Sequence, residues 1–257
     1  MQDTAISRAI AETYHEKLTG AIESDVLITG GGPSGLVAAA KLASSGYRVT
    51  VLEKRLAPGG GVWGGAMGMN IAIVQDEAVG ILDEFSIGHQ DRGGSLHSVE
   101  AGELAAGLCV KAIQNGATFL NLLAAEDVCV HNGRVVGVVA NQSMVLGQLP
   151  VDPLTLSGSA VLDATGHEAA LVNSLRKRGL LPVESPEGPL GEGPMDADAG
   201  ERFVVENTSE VFPGMWVSGM AVCATLGGPR MGPIFGGMLM SGVRVAEQMA
   251  SAIGNPR

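Results

Sequence analysis

The sequence predicts an α/β fold with a central parallel sheet and an inserted β-hairpin section, and three patterns carry that prediction. The first is a βαβ unit near the N-terminus. Asp25-Val-Leu-Ile-Thr29 reads as a buried strand, Gly30-Gly-Gly-Pro-Ser-Gly35 as a tight turn, and the alanine-rich stretch to about Ser44 as a helix. Gly46 breaks that helix, and Arg48-Val-Thr-Val-Leu52 forms a second strand ending at Glu53. Such a crossover closes right-handed and sets its two strands parallel. The second pattern is His131-Asn132-Gly133 between the strand runs Asp127 to Val130 and Arg134 to Ala140, because Asn-Gly between β-branched runs is a strong hairpin signal. The third is continued alternation of strand and helix patterns, with neither an internal repeat nor a separating linker, so residues 1–257 are expected to form one domain on one core.

The remaining elements follow in order. Ile6, Ile10, Tyr14 and Leu18 recur every four residues, marking an amphipathic N-terminal helix that Gly20 ends. Pro58 to Gly68 is glycine-dense and reads as a loop that approaches something closely. His89 and His97 lie in a polar stretch and read as solvated, with a site role as the alternative. Helical pattern returns from about Ala101 to Gln114, is capped by Asn115-Gly116, and leads into a strand from Ala117 to Leu122. Ser159 to Ala164 is a further strand, ending in Thr165-Gly166-His167. Residues 182–200, rich in Pro, Gly and acids, are expected to be an exposed mobile loop serving as a lid or an oligomer contact. Met215 to Ser218 gives a last strand, then a glycine-rich turn, then a helix from about Gly237 to Ile253.

Composition excludes several classes. Hydrophobic residues at 46% and charged residues at 17% exclude a disordered chain, and aromatics at 4% beside 38 glycines require a core of aliphatic side chains and close backbone contacts. A net charge of −11, with no basic run longer than Arg176-Lys177-Arg178, excludes a nucleic-acid footprint. The longest uncharged stretch, Val211 to Pro229, is broken by Pro213 and several glycines, so no membrane span is expected. Cys109, Cys129 and Cys223 lack CxxC spacing and read as free, buried thiols in a reducing compartment. A soluble, cytoplasmic protein is expected.

Gly30-x-Gly32-x-x-Gly35 would be weak alone, but here it links a strand to a helix and is followed by Glu53 at the end of the next strand. That is the context a Rossmann-type dinucleotide site requires. Gly30 permits the turn, Gly32 lets a pyrophosphate approach the backbone, and Gly35 lets helix and strand pack closely. The helix N-terminus then faces the phosphates, and Glu53 accepts hydrogen bonds from the adenosine ribose. A carboxylate there disfavours a 2′-phosphate, favouring NAD or FAD over NADP. Arg230, a cation in a glycine-rich, uncharged stretch, calls for an anionic ligand.

Longer motifs carry a resemblance. Ile6-Ser-Arg-Ala-Ile10, Gly32-Pro-Ser-Gly35, Gly59-Gly-Gly-Val-Trp-Gly-Gly65, Val151-Asp-Pro-Leu-Thr155, Asp163-Ala-Thr-Gly-His167, Val205-Glu-Asn-Thr208 and Pro229-Arg-Met-Gly-Pro-Ile-Phe-Gly-Gly-Met238 span nearly the whole chain. In that order they resemble the thiamine thiazole synthase family. The resemblance implies a glutathione-reductase-like dinucleotide fold and an enzyme that consumes NAD as a substrate. It implies release of nicotinamide, condensation with glycine, addition of sulfide, and closure of an ADP-linked thiazole carboxylate. It further implies Fe(II) as cofactor and a homo-octamer with sites shared between subunits. By motif, Ser34, Glu53, Lys54, Gly61 and Val128 would contact the ADP part, Asp152 and His167 would ligate iron, Met220 would line the pocket, and Arg230 would grip the glycine carboxylate.

The chain departs from that family at Pro150. Two residues ahead of the aspartate the family carries Cys, which gives up its own sulfur, or His, in sulfide-using members. Proline supplies no sulfur and no proton-transfer group, so a sulfur-donating mechanism is excluded at this position. Cys223, a few residues after Met220, is the thiol weighed as a substitute donor. Three other readings stand beside sulfide-dependent thiazole synthesis. One is a diverted member using another amino acid or sulfur acceptor, another a binding relative without activity. The third is an FAD-dependent oxidoreductase of the glutathione-reductase type, which the glycine fingerprint alone does not separate from an NAD binder.

Overall fold

The computed structural model describes residues 2–145, 147, 151–182, 184–185, 188–189 and 191–256, so Pro150 lies outside the described residues. The chain begins with α1 (Asp3–Ala21), then runs through β1 (Glu23–Thr29), α2 (Pro33–Ser44) and β2 (Val49–Glu53), which form the expected βαβ unit. Two short 3-10 turns occupy the glycine-dense segment. Next come β3 (Ile71–Gln75), α3 (Asp76–Glu84), β4 (Gln90–Asp91) and β5 (Leu96–Glu100). The middle of the chain is α4 (Ala101–Gln114), β6 (Thr118–Asn121), β7 (Leu123–His131), β8 (Arg134–Gln142) and the long β9 (Leu154–Asp163). Then follow α5 (Ala170–Lys177), β10 (Glu184–Ser185), β11 (Gly188–Pro189), β12 (Gly193–Met195) and α6 (Ala197–Glu206). The chain closes with β13 (Ser209–Phe212), β14 (Met215–Val217), α7 (Met220–Leu226), β15 (Pro229–Arg230) and α8 (Gly236–Ile253).

The main sheet has the parallel order β14-β9-β1-β2-β6, with β13 antiparallel at one edge and the β7–β8 hairpin joined antiparallel to the first half of β9. Strand residues alternate between two cores, as the two-residue period of a strand requires. Val26, Ile28, Val51 and Leu162 face the layer of α2, α4 and α8, packing with Leu36, Leu104, Leu108 and Leu239. Leu27, Leu52 and Val161 face the opposite layer, where the hairpin and α5 supply Val135, Val138, Leu171 and Leu175. The hairpin turns through Asn132 and Gly133, both at positive φ (51° and 74°), as the Asn-Gly dipeptide predicts.

Four expectations change. The segment between the glycine loop and α4 carries a second, three-stranded antiparallel sheet, β3-β5-β4, whose strands of at most five residues give too short a period to read. Within it His89 and His97 are not solvated singly but are half-buried and paired, with Nδ1 atoms 3.3 Å apart. The stretch 182–200 is not simply a loop: β12 pairs in parallel with β15, and Asp196 accepts from the Ala199 N–H to cap α6. The glycine-rich turn after β14 contains α7, whose residues Met220–Thr225 are all buried. In α1 the row Ile6, Ile10 and Tyr14 remains 46%, 66% and 42% exposed, so this chain does not itself cover the amphipathic face. Among the described residues no helix is long and apolar enough to cross a membrane.

Candidate active site

A cavity of about 660 Å³ opens at the carboxyl ends of β1, β2 and β9, where ligands of open parallel sheets bind. Its first wall is the glycine turn. Gly30 has φ +102°, and a Cβ there would lie 2.3 Å from the Ala164 carbonyl oxygen; one on Gly35 would lie 2.2 Å from the Gly30 carbonyl oxygen. Gly32 faces open space on its Cβ side, leaving room for a group against the helix N-terminus. The sequence-predicted roles of Gly30, Gly32 and Gly35 therefore correspond to a strained turn, an open approach and a tight packing contact.

Glu53, almost fully buried, accepts the Gly31 N–H at 2.8 Å through one oxygen and the Arg55 N–H at 2.8 Å through the other. The acid thus locks the glycine turn to the end of β2, and each oxygen keeps a second lone pair for a ligand hydroxyl. Ser34, Lys54, Gly61 and Met220 line the same cavity. Ser34 Oγ accepts from Ser218 Oγ at 3.2 Å, and Lys54 is ion-paired to Glu168. Val128 does not line it. Its side chain is buried in the core beneath the hairpin, and the cavity takes Ala124 and Ala125 from the near end of β7 instead.

The far end of the cavity is built differently. Asp163, fully buried at the end of β9, accepts from the Thr165 N–H and hydroxyl with one oxygen and from the Leu171 and Val172 N–H groups with the other. Burial pushes its carboxyl above the ordinary range despite those donors. This clamp fixes the turn that presents His167, followed by Ala169 at φ 39°. His167 Nδ1 lies 2.5 Å from Glu192 Oε1, and Glu192 Oε2 lies 3.7 Å from Arg230 Nε. The Glu192 side chain is 17% exposed, against 61% for His167 and 60% for Arg230. The β12–β15 ribbon holds that acid in place: the Gly193 N–H donates to the Gly228 carbonyl, and the Asp196 N–H to that of Arg230. Glu192 was not singled out by the sequence, where its only signal is an acid set between two glycines.

The two residues expected to share a metal do not meet in one chain. Asp152 precedes β9 and His167 follows it, and only His167 lines the cavity. Asp152 is exposed and is not part of the cavity wall; beside it, the Val151 carbonyl accepts from Asn141 Nδ2 at 3.0 Å. Cys223 is no sulfur donor in waiting. Its thiol is buried, donates to the Pro229 carbonyl at 3.2 Å, and is pushed up to about 12 by burial and by the charge of Glu192. A thiol of that kind carries almost no thiolate near neutrality.

Fold and cavity together define an α/β protein of the dinucleotide-binding class. A Thi4 family model matches residues 7–235. The thiamine thiazole synthase of Thermotoga maritima is 50% identical over 249 residues, 96% of each chain, and that of Thermococcus kodakarensis is 46% identical over 255 residues, 99% of this chain and all of the other. The crystal structure of Thermovibrio ammonificans THI4 superposes with a TM-score of 0.93 at 45% identity over 98% of both chains. At fold level alone, L-proline dehydrogenase from P. horikoshii is similar, with a TM-score of 0.59 at 13% identity. The chain belongs to the Thi4 family, that of the thiamine thiazole synthases.

Proposed function

We propose that this protein makes the thiazole precursor of thiamine from NAD, glycine and sulfide, releasing nicotinamide and leaving an ADP-linked thiazole carboxylate. The observation that carries the reading is a single cavity running from the glycine turn and Glu53 to His167 and Arg230. The adenylate end holds the ADP part against the amides opening α2, with the ribose hydroxyls on Glu53. The reactive end then receives the nicotinamide ribose, and Arg230 offers a planar fork to the glycine carboxylate.

At the reactive end His167 would be this chain's ligand to a divalent iron. A carboxylate on Nδ1 of His167 fixes the tautomer whose Nε2 carries the lone pair, an arrangement typical of metal-bound histidines. Glu192 is thus a positioning residue for His167. Because Asp152 stands at the other end of β9, it would complete the site from a second copy of the chain, which accords with an oligomer such as the homo-octamer the resemblance implies. When bound, iron supplies Lewis-acid polarisation of the substrate. The protein orients the two substrates and excludes water from the space between them.

The test is anaerobic incubation of Fe(II)-loaded protein with NAD, glycine and sulfide. Nicotinamide release and several thiazole adenylates per subunit are expected. Less than one product per subunit, or NAD consumption supported only by another amino acid, contradicts the reading.

A further inference from the structure

Away from the cavity, the second sheet and α3 bring two histidines and two aspartates into one row. His97, on β5, places its Nε2 at 2.7 Å from Asp76 Oδ1, and His89, just before β4, places its Nε2 at 3.2 Å from Asp83 Oδ1. Both aspartates belong to α3. Carboxylates can only accept, so each Nε2 carries the proton and each Nδ1 is left with a lone pair. Those two lone pairs face one another across 3.3 Å. Two lone pairs at that range repel unless a cation lies between them.

The spacing suits one ion held by both nitrogens as well as a long hydrogen bond between them. A proton between two nitrogens wants them about 2.9 Å apart and the bond straight. Here the nitrogens are 3.3 Å apart while the ring centroids are only 5.2 Å apart, so the rings are tilted off the line joining the nitrogens. Bonds of about 2.0 Å from both nitrogens to one ion, meeting at about 110°, would set the nitrogens 3.3 Å apart, the spacing seen here. Each ring is also backed by a carboxylate on its other nitrogen, the outer-shell pattern that orients metal-binding histidines.

We infer that His89 and His97 form a binding site for a borderline divalent metal such as zinc or cobalt, separate from the catalytic cavity, with Asp76 and Asp83 as its outer shell. Two imidazoles suit that class of ion, and the two carboxylates balance its charge. Among the described residues no third His, Cys, Asp or Glu joins them, so the remaining positions are open to solvent. The bound ion would clamp the turn before β4, and β5, onto α3.

The experiment uses the full chain carrying His167→Ala, which removes the imidazole of the catalytic cavity and leaves the pair intact. Titration with cobalt(II) is expected to give visible ligand-field absorption saturating at one ion per chain, and zinc(II) should displace the cobalt and raise Tm. Adding His89→Ala or His97→Gln should abolish the absorption with Tm of the metal-free protein kept, which separates loss of the site from loss of the fold. Adding Asp76→Asn should weaken cobalt binding by about 10- to 100-fold. No saturable cobalt absorption in the His167→Ala protein, or absorption that persists after His89→Ala, overturns the inference. Neither result depends on thiazole synthesis, so failure here is distinct from failure of the proposed function.

Discussion

The two ends of the cavity are built from different materials. The adenylate end is backbone: a glycine turn with no room for a Cβ at Gly30 or Gly35, tied to β2 by Glu53 through two main-chain N–H groups. It is complete in one chain. The reactive end is side chain: His167 and Arg230, each more than half exposed, held together by Glu192. Its remaining expected ligand, Asp152, precedes β9 and does not line the cavity. The difference teaches that the nucleotide-binding half of the proposed site is built within one chain, whereas the proposed iron site draws Asp152 from a second copy.

Breaking the first end should have the largest effect. Gly35→Ala forces a methyl group onto the Gly30 carbonyl oxygen, a backbone atom at 2.2 Å. Loss of ADP binding in calorimetry is expected, with about 1–3 kcal/mol of stability lost as in other overpacked sites. ADP affinity equal to wild type would show that the turn is not the phosphate cradle. At the reactive end, Arg230→Ala should leave ADP affinity intact and raise KM for glycine about 10- to 100-fold, since hydrogen bonds between charged groups contribute about 1.5–3 kcal/mol. An unchanged KM would place the glycine carboxylate elsewhere. Sharper still is Glu192→Ala, which should weaken cobalt(II) binding at His167 about 10- to 100-fold. Glu192→Gln, still able to accept from Nδ1, should recover part of that loss; equal losses in both variants would contradict a positioning role.

The smallest expected effect concerns the frame behind the cavity. Glu201, buried on α6, accepts the second amide of α8 from Gly237 at 2.5 Å, and burial raises its carboxyl above the ordinary value of 4.5. Because the folded-state pKa exceeds the unfolded one, the native state holds the proton longer. Stability should therefore fall as pH rises from about 4.5 through the folded-state value. Glu201→Gln should flatten that slope in denaturant midpoints measured between pH 4 and 7, and an unchanged slope would show that this group does not contribute to it.

The same contrast governs what was legible beforehand. The glycine turn, Glu53 and the Asn132-Gly133 hairpin could be read because each is a local backbone requirement written in neighbouring residue types. Glu192 could not, because it reaches His167 only through the register of β12 on β15, pairing residues more than thirty positions apart in sequence. Val128 was placed at the nucleotide by motif, but the alternation along β7 turns it into the core. His89 and His97 looked solvated because the partners that bury them come from α3 and a sheet of strands too short to show a period. Asp152 and His167, fifteen positions apart, were paired by motif alone, and β9 lies between them.

The division of the reactive end between copies is tested most directly by complementation. Asp152→Ala and His167→Ala proteins, each inactive alone, are dissociated, mixed and reassembled, then assayed for nicotinamide release with NAD and glycine. Mixed assemblies contain interfaces that pair an intact Asp152 with an intact His167, so activity should return to a substantial fraction of wild type. If the mixture stays as inactive as either parent while heteromers demonstrably form, the two residues do not serve one site across chains.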